Sequence, residues 1–102
     1  MPKRLHTISW TGLALQDLLE VVEYIKRDNK KAAEHFAKDI KEKVSRLAKF
    51  PNSGRIVPEF PTSGLREIIT GDYRVIYRVI LVKREVEILT LRHGARGLEG
   101  QK

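Results

Sequence analysis

Leu65-Arg66-Glu67-Ile68-Ile69-Thr70-Gly71-Asp72-Tyr73-Arg74-Val75-Ile76-Tyr77-Arg78-Val79-Ile80-Leu81-Val82 is the stretch on which the fold turns. Both flanks of Gly71-Asp72 are rich in β-branched and aromatic residues, which suit a pleated, half-buried surface. Gly71-Asp72 itself has the form of a two-residue hairpin turn of the primed type. Strands over Leu65–Thr70 and Tyr73–Val82 follow. A polar turn at Lys83-Arg84-Glu85 leads to a last strand over Val86–Arg92. Pairing across the tight turn sets Thr70 opposite Tyr73, Ile69 opposite Arg74 and Glu67 opposite Ile76. Tyr73, Val75, Tyr77, Val79 and Leu81 share one face, and Arg74, Ile76, Arg78 and Ile80 share the other. Arg66 falls on the tyrosine face, so this register puts Arg66 and Arg74 on opposite faces unless a bulge intervenes. His93 shares parity with Leu89 and Leu91.

Upstream, the apolar period changes from 2 to 3.6. A connector from Pro51 to Gly64 holds three of the four prolines. Before it, Ala33, Phe36, Ala37, Ile40, Val44, Leu47 and Ala48 form one stripe of a helix over about Lys31–Lys49, which Pro51 stops. An earlier stripe, Ala14, Leu18, Val21, Val22 and Ile25, marks a helix opened by Thr11 as N-cap and ended near Arg27-Asp28-Asn29. Leu5–Trp10 reads as a short strand. The expectation is an α+β domain spanning 1–102. An N-terminal strand completes the sheet at an edge, and an antiparallel helical hairpin packs on an antiparallel sheet formed mainly by three C-terminal strands. The second face of that sheet is expected to stay partly open.

Composition narrows the function. The chain has 102 residues and no cysteine, so disulfides, zinc–thiolate sites and thiol chemistry are excluded. The longest apolar run, Val79–Val82, is far short of the roughly 20 residues of a bilayer span, and no signal-peptide apolar region follows Met1. A cytoplasmic setting with no membrane contact is expected. Twenty Lys and Arg against thirteen Asp and Glu give a net charge of +7, which favours anionic partners. Residues 1–53 hold eight Lys and three Arg, whereas residues 54–102 hold two Lys and seven Arg. The C-terminal half is thus written in guanidinium, whose planar fork matches phosphate and carboxylate.

The candidate site is Glu59, Arg66, Arg74, His93 and Arg96. Arginines can hold a phosphodiester and stabilise charge growing on phosphorus. Arg66, Arg74, Arg78 and Arg96 are the candidate phosphate holders. The His93 imidazole can serve as acid or base, and Glu59 can take a proton from a ribose 2′-hydroxyl. Together these are the parts of a metal-independent RNA transesterification. Each residue also has a reading within the fold itself. Glu59 is equally a solvated or ion-paired carboxylate, Arg74 an internal partner of Glu67 or Glu87, and His93 a structural hydrogen-bonder. No phosphate-binding glycine loop, nucleophile elbow or His-Glu metal motif is present, so no cofactor and no metal are inferred.

The order Asp17-Leu18, Tyr24-Ile25, Leu47 to Arg55, Leu65-Arg66-Glu67, Tyr73 to Val79 and Ile88 to Arg96 resembles the RelE/ParE superfamily of toxins from type II toxin–antitoxin modules. The resemblance implies a growth-arrest toxin silenced by a cognate acidic antitoxin in a hetero-oligomer. RelE-like members act on the ribosome and cut mRNA, and ParE-like members inhibit DNA gyrase without hydrolytic chemistry. Likeness to the first branch would make Arg74 a transition-state residue, His93 a general acid and Glu59 a base. The long helices and the His93-Gly94-Ala95-Arg96 ending are also found in the second. The Arg/His/Glu set, complete in type, tilts the reading slightly toward the ribonuclease.

Overall fold

The computed structural model describes residues 5–94. In chain order these form β1 (Thr7–Trp10), α1 (Gly12–Asp28), α2 (Lys30–Arg46), β2 (Arg55–Ile56), β3 (Arg66–Thr70), β4 (Tyr73–Ile80) and β5 (Glu85–His93), with a 3-10 turn at Leu81–Lys83 between β4 and β5.

The helix boundaries follow from their caps. Thr11 is extended, and its hydroxyl accepts from the Ala14 amide at 3.0 Å, satisfying an amide that α1 leaves without a helical partner. Asn29 serves both helices. Its amide donates to the Ile25 carbonyl at 3.0 Å, and its side chain accepts from the Ala32 amide at 3.0 Å. One extended residue therefore makes the whole turn, and α2 starts at Lys30. Helix α2 ends at Arg46 rather than Lys49. Leu47 to Lys49 form turns that bury Leu47 and bring Phe50 to the position Pro51 demands.

The five strands lie in the order β1-β5-β4-β3-β2. The β3–β4 register is the one the Gly71-Asp72 turn imposes, with Thr70 on Tyr73, Ile69 on Arg74 and Glu67 on Ile76. Gly71 takes φ +58°, which costs a residue without Cβ nothing. Strand β1 lies at the edge as expected and runs parallel to β5, so the sheet is mixed. Strand β2, only two residues long, lies in the stretch read as connector and pairs Arg55 with Glu67 and Ile56 with Arg66. A bulge between β4 and β5 shifts the ladder, since Ile76 faces Thr90 while Tyr77 faces Ile88. Leu91 thus points with Ile88, and the parity that linked His93 to Leu89 holds only as far as Leu91.

The helices cover one face. Ala14, Phe36, Ile40, Val44 and Leu47 pack on Val75, Tyr77, Val86, Ile88 and Leu91. Burial of each large apolar side chain contributes roughly 1.5–3 kcal/mol, so this layer is the main source of stability. The other face is partly covered, with Ile69 and Arg78 left exposed on it. Val57 is fully buried and Ile76 nearly so, yet neither belongs to the helix-side cluster. The connector folds back over that face through a series of turns, with the Val57 amide on the Leu65 carbonyl at 3.0 Å and the Phe60 amide on the Val57 carbonyl at 3.1 Å. Proline and glycine signal a connector but do not show which surface it will lie against.

Candidate functional site

Arg74 sits mid-sheet on the connector-covered face, and its side chain is 5 % exposed. Two carboxylates occupy its guanidinium. Nη1 and Nη2 donate to Glu59 Oε2 and Oε1 at 2.8 and 2.6 Å, the bidentate fork, and Nε donates to Glu67 Oε1 at 2.7 Å. Glu67 is itself fully buried, and its other oxygen accepts from Arg55 Nε at 2.5 Å. Two arginines and two glutamates therefore form a chain of alternating sign with no net charge. Hydrogen bonding to Glu59, reinforced by Glu67, holds the Arg74 guanidinium above its already high ordinary pKa despite the opposing effect of burial. The register lines up Glu67 beneath Arg74, and the connector brings Glu59 over it. The arrangement clamps the connector to the sheet.

The remaining candidates lie elsewhere. Arg66 is on the helix-covered face, opposite Tyr77, where its Nη1 donates to the Gly54 carbonyl at 2.7 Å. There the Tyr77 hydroxyl donates to the Pro51 carbonyl at 2.7 Å and accepts from the Gly54 amide at 2.9 Å. Burial raises the Tyr77 pKa above its ordinary value near 10. A Cβ at Gly54 would stand 2.6 Å from the Tyr77 hydroxyl and 2.7 Å from the Glu67 carbonyl, so this knot requires glycine. Arg78 shares the face of Arg74 but is half exposed, and its Nε donates to Glu87 at 2.7 Å. The Glu87 alternative for Arg74 is thus taken by Arg78, and the Glu67 alternative is the one the fold uses. His93 stands opposite Tyr73, ring edge to ring face at 5.3 Å, and Tyr73 meets Phe36 of α2 at 5.5 Å. His93 is therefore on the helix side of the sheet and Arg74 on the other. Arg96 lies outside the described residues. The structure brings Glu59 and Arg74 together, as partners of one another, and brings neither to His93 or Arg66. The convergent anion-gripping hollow expected from the sequence is not formed by the described residues, because the carboxylates nearest Arg74 already satisfy it.

Beside His93 lies a groove of about 1590 Å³ between the helices and the Gly71-Asp72 turn. Its floor includes Phe36 and Tyr73, and Asp17, Glu20, Asp39, Glu42 and Asp72 line it against Lys38 and Arg92. On a basic protein this hollow is acidic, the reverse of what binding to a phosphodiester needs. Among the described residues no group of three or more His, Cys, Asp or Glu is placed to hold a metal ion.

Two contributors escaped sequence reasoning. Glu67 was visible only as a partner option, but it is the buried centre of the charge chain. Asp17 of α1 accepts from the Thr90 hydroxyl at 2.5 Å and from the Leu91 amide at 3.1 Å, beyond the point where β1 ends. A lone Asp on a helix carries no local sign of such a contact.

Comparison with known proteins decides the family. The family model of the ParE toxin of type II toxin–antitoxin system, parDE, matches residues 8–98. This chain belongs to that family. Among its relatives are a putative toxin, Y4kP, of Sinorhizobium fredii, 38% identical over 84% of this chain and 85% of the relative, and toxin RelE2 of Caulobacter vibrioides, 34% identical over 87% and 96%. The fold is that of the toxin chains in wider comparison. A chain of the chromosomal ParDE system of P. aeruginosa superposes with a TM-score of 0.72 at 22% identity, covering 89% of this chain and 98% of that one. A chain of the intact E. coli RelBE toxin–antitoxin complex gives 0.60 at 16% identity, covering 89% and 99%. The protein is a type II toxin of the RelE/ParE superfamily.

Proposed function

We propose that this toxin arrests growth by binding DNA gyrase, without cleavage chemistry of its own, and that a co-encoded antitoxin holds it silent until it is freed. The observation that carries this reading is the commitment of Arg74 to Glu59 and Glu67 on the face of the sheet away from His93. A ribonuclease built on these residues needs a guanidinium free for the phosphate and an acid beside it. To free Arg74 for an anion, the buried Glu67 and the part-buried Glu59 would have to be stripped of their partner, at a cost of several kcal/mol. On this ground we prefer the second reading to the ribonuclease favoured slightly on residue types alone. The antitoxin partner is supported by the family match and by structural neighbours that are toxin–antitoxin complexes.

The test pairs two assays on the purified protein. In a supercoiling assay, gyrase is expected to lose activity in proportion to added toxin. In a translation reaction, ribosomes are expected to leave mRNA intact. New mRNA ends at toxin concentrations that leave supercoiling untouched would restore the ribonuclease and overturn this reading.

A further inference from the structure

We infer that the turn between β4 and β5 is the surface through which this toxin engages its target, a folded protein presenting an apolar pocket edged by carboxylates. The inference rests on the reading of gyrase as that target.

Leu81 is 76 % and Val82 94 % exposed. The alternation of Tyr73–Val82 would place at least Leu81 on the core side, but the chain leaves the ladder at Ile80 and turns both side chains outward. A solvated turn ordinarily carries polar residues, so two adjacent aliphatic side chains at a tip call for a partner. The backbone gives a second, independent sign. Arg84 closes the turn in the left-handed region, at φ 50° and ψ 51°. It is the one non-glycine residue with positive φ among the described residues. Glycine would adopt that conformation without strain, so the position keeps a cation at an energetic cost, as strained positions at contact surfaces do. Two further exposed apolar residues reach the same end of the molecule. The Thr7 amide bonds the Arg84 carbonyl, bringing Leu5 alongside, and the His6 amide bonds the Ala48 carbonyl, bringing Phe50 with Lys49 over its ring. The result is an aliphatic knob flanked by Lys49, Lys83 and Arg84.

Charge and size select the occupant. A second copy docking tip to tip would bring Lys83 and Arg84 against their own counterparts in a chain of charge +7. A lipid surface asks for more apolar mass. It also asks for a larger basic cluster, of about four to eight Lys or Arg, where this end carries Lys49, Lys83 and Arg84. A nucleic-acid duplex asks for more cations, because each neutralised phosphate contributes and three are few. Two aliphatic groups ringed by cations match one apolar pocket with an acidic rim.

The experiment compares the full-length wild type with L81S/V82S and with K83E, using purified gyrase holoenzyme and growth arrest on induction. The serine variant should need at least tenfold more protein for half-inhibition of supercoiling. K83E should need severalfold more, the gap narrowing at high salt. Circular dichroism and thermal midpoints should match wild type, since the replaced side chains are solvent-exposed. Equal inhibition by wild type and L81S/V82S overturns the tip assignment and leaves the gyrase reading standing. If wild type does not inhibit gyrase, that reading falls, and growth decides the tip: relief of arrest by L81S/V82S at matched expression keeps it with another protein target, and unrelieved arrest removes it. Tip-dependent retention on phosphatidylglycerol vesicles or on a 30-base-pair duplex would overturn the protein partner.

Discussion

The middle of the sheet and the β4–β5 turn break the usual division between inside and outside in opposite directions. At Arg74, charged side chains are buried where a small domain ordinarily places aliphatic ones. At Leu81 and Val82, aliphatic side chains are in water where a turn ordinarily places charge. The first region satisfies itself completely and so has little left to offer a ligand. The second leaves the Leu81 and Val82 side chains largely in water. Function in this small toxin is therefore better sought where the fold leaves a group without internal use than where chemically versatile side chains gather.

The largest effect should come from breaking the charge chain. Arg74→Met leaves Glu59 and Glu67 without their shared cation and should cost about 3–5 kcal/mol, a fall in Tm of roughly 15 °C or more for a domain of this size. Replacing all three, as R74M/E59L/E67L, should recover most of that loss, because an apolar set of similar volume avoids the desolvation of charge. Urea denaturation measures both. A single variant as stable as wild type would show that the cluster is not buried as described.

Gly54→Ala should cost about 1–3 kcal/mol, since its methyl meets the Tyr77 hydroxyl and the Glu67 carbonyl, one of which must move. Tyr77→Phe should cost about 1–3 kcal/mol at neutral pH by orphaning the Gly54 amide and the Pro51 carbonyl. Here pH sharpens the contrast. The folded protein keeps the Tyr77 proton more tightly than the unfolded chain, so this contribution is fully present below about pH 10 and is lost as pH rises through the higher folded pKa. The stability gap between wild type and Tyr77→Phe should narrow over that window. A gap that widens would reverse the sign.

The turn should show the smallest effects on stability. Arg84→Gly relieves a left-handed side chain and should gain about 0.5–1 kcal/mol, the strain removed exceeding the added chain entropy of glycine. L81S/V82S should change stability by less than about 0.5 kcal/mol, as surface substitutions do. A large loss from it would mean that the knob packs on the molecule itself. Stability and inhibition should therefore part company. Arg74 variants weaken the fold first, and tip variants weaken inhibition with the fold intact.

Much of the fold was legible because it is locally written. The Thr11 cap, the two helical stripes, the stop at Pro51 and the Gly71-Asp72 turn each depend on residues within a few positions of one another. So did the β3–β4 register, and with it the separation of Arg66 from Arg74. Strand β2 and the connector's cover over part of the second face were not legible, because both depend on where a turn-rich connector comes to rest. Of the candidate site, Glu59, Arg74 and His93 were singled out by residue type, and their settings were not legible. Alternation could not reveal that Glu59 comes over the sheet to satisfy Arg74, or that a bulge in β5 parts His93 from Leu89. The tip was passed over for the opposite reason: Leu81 and Val82 extended a β pattern smoothly, and nothing in the alternation marks the point at which the chain leaves the sheet.

Asp17 carries a last consequence. Where β1 stops, β5 would present bare amides along a rim of the sheet, the kind of rim on which copies of a chain stack into polymers. Thr11 covers the Leu89 carbonyl and Asp17 the Leu91 amide, so the first helix seals the rim from within. At Leu91 this rim therefore holds no bare amide on which a second copy of the chain could add a strand.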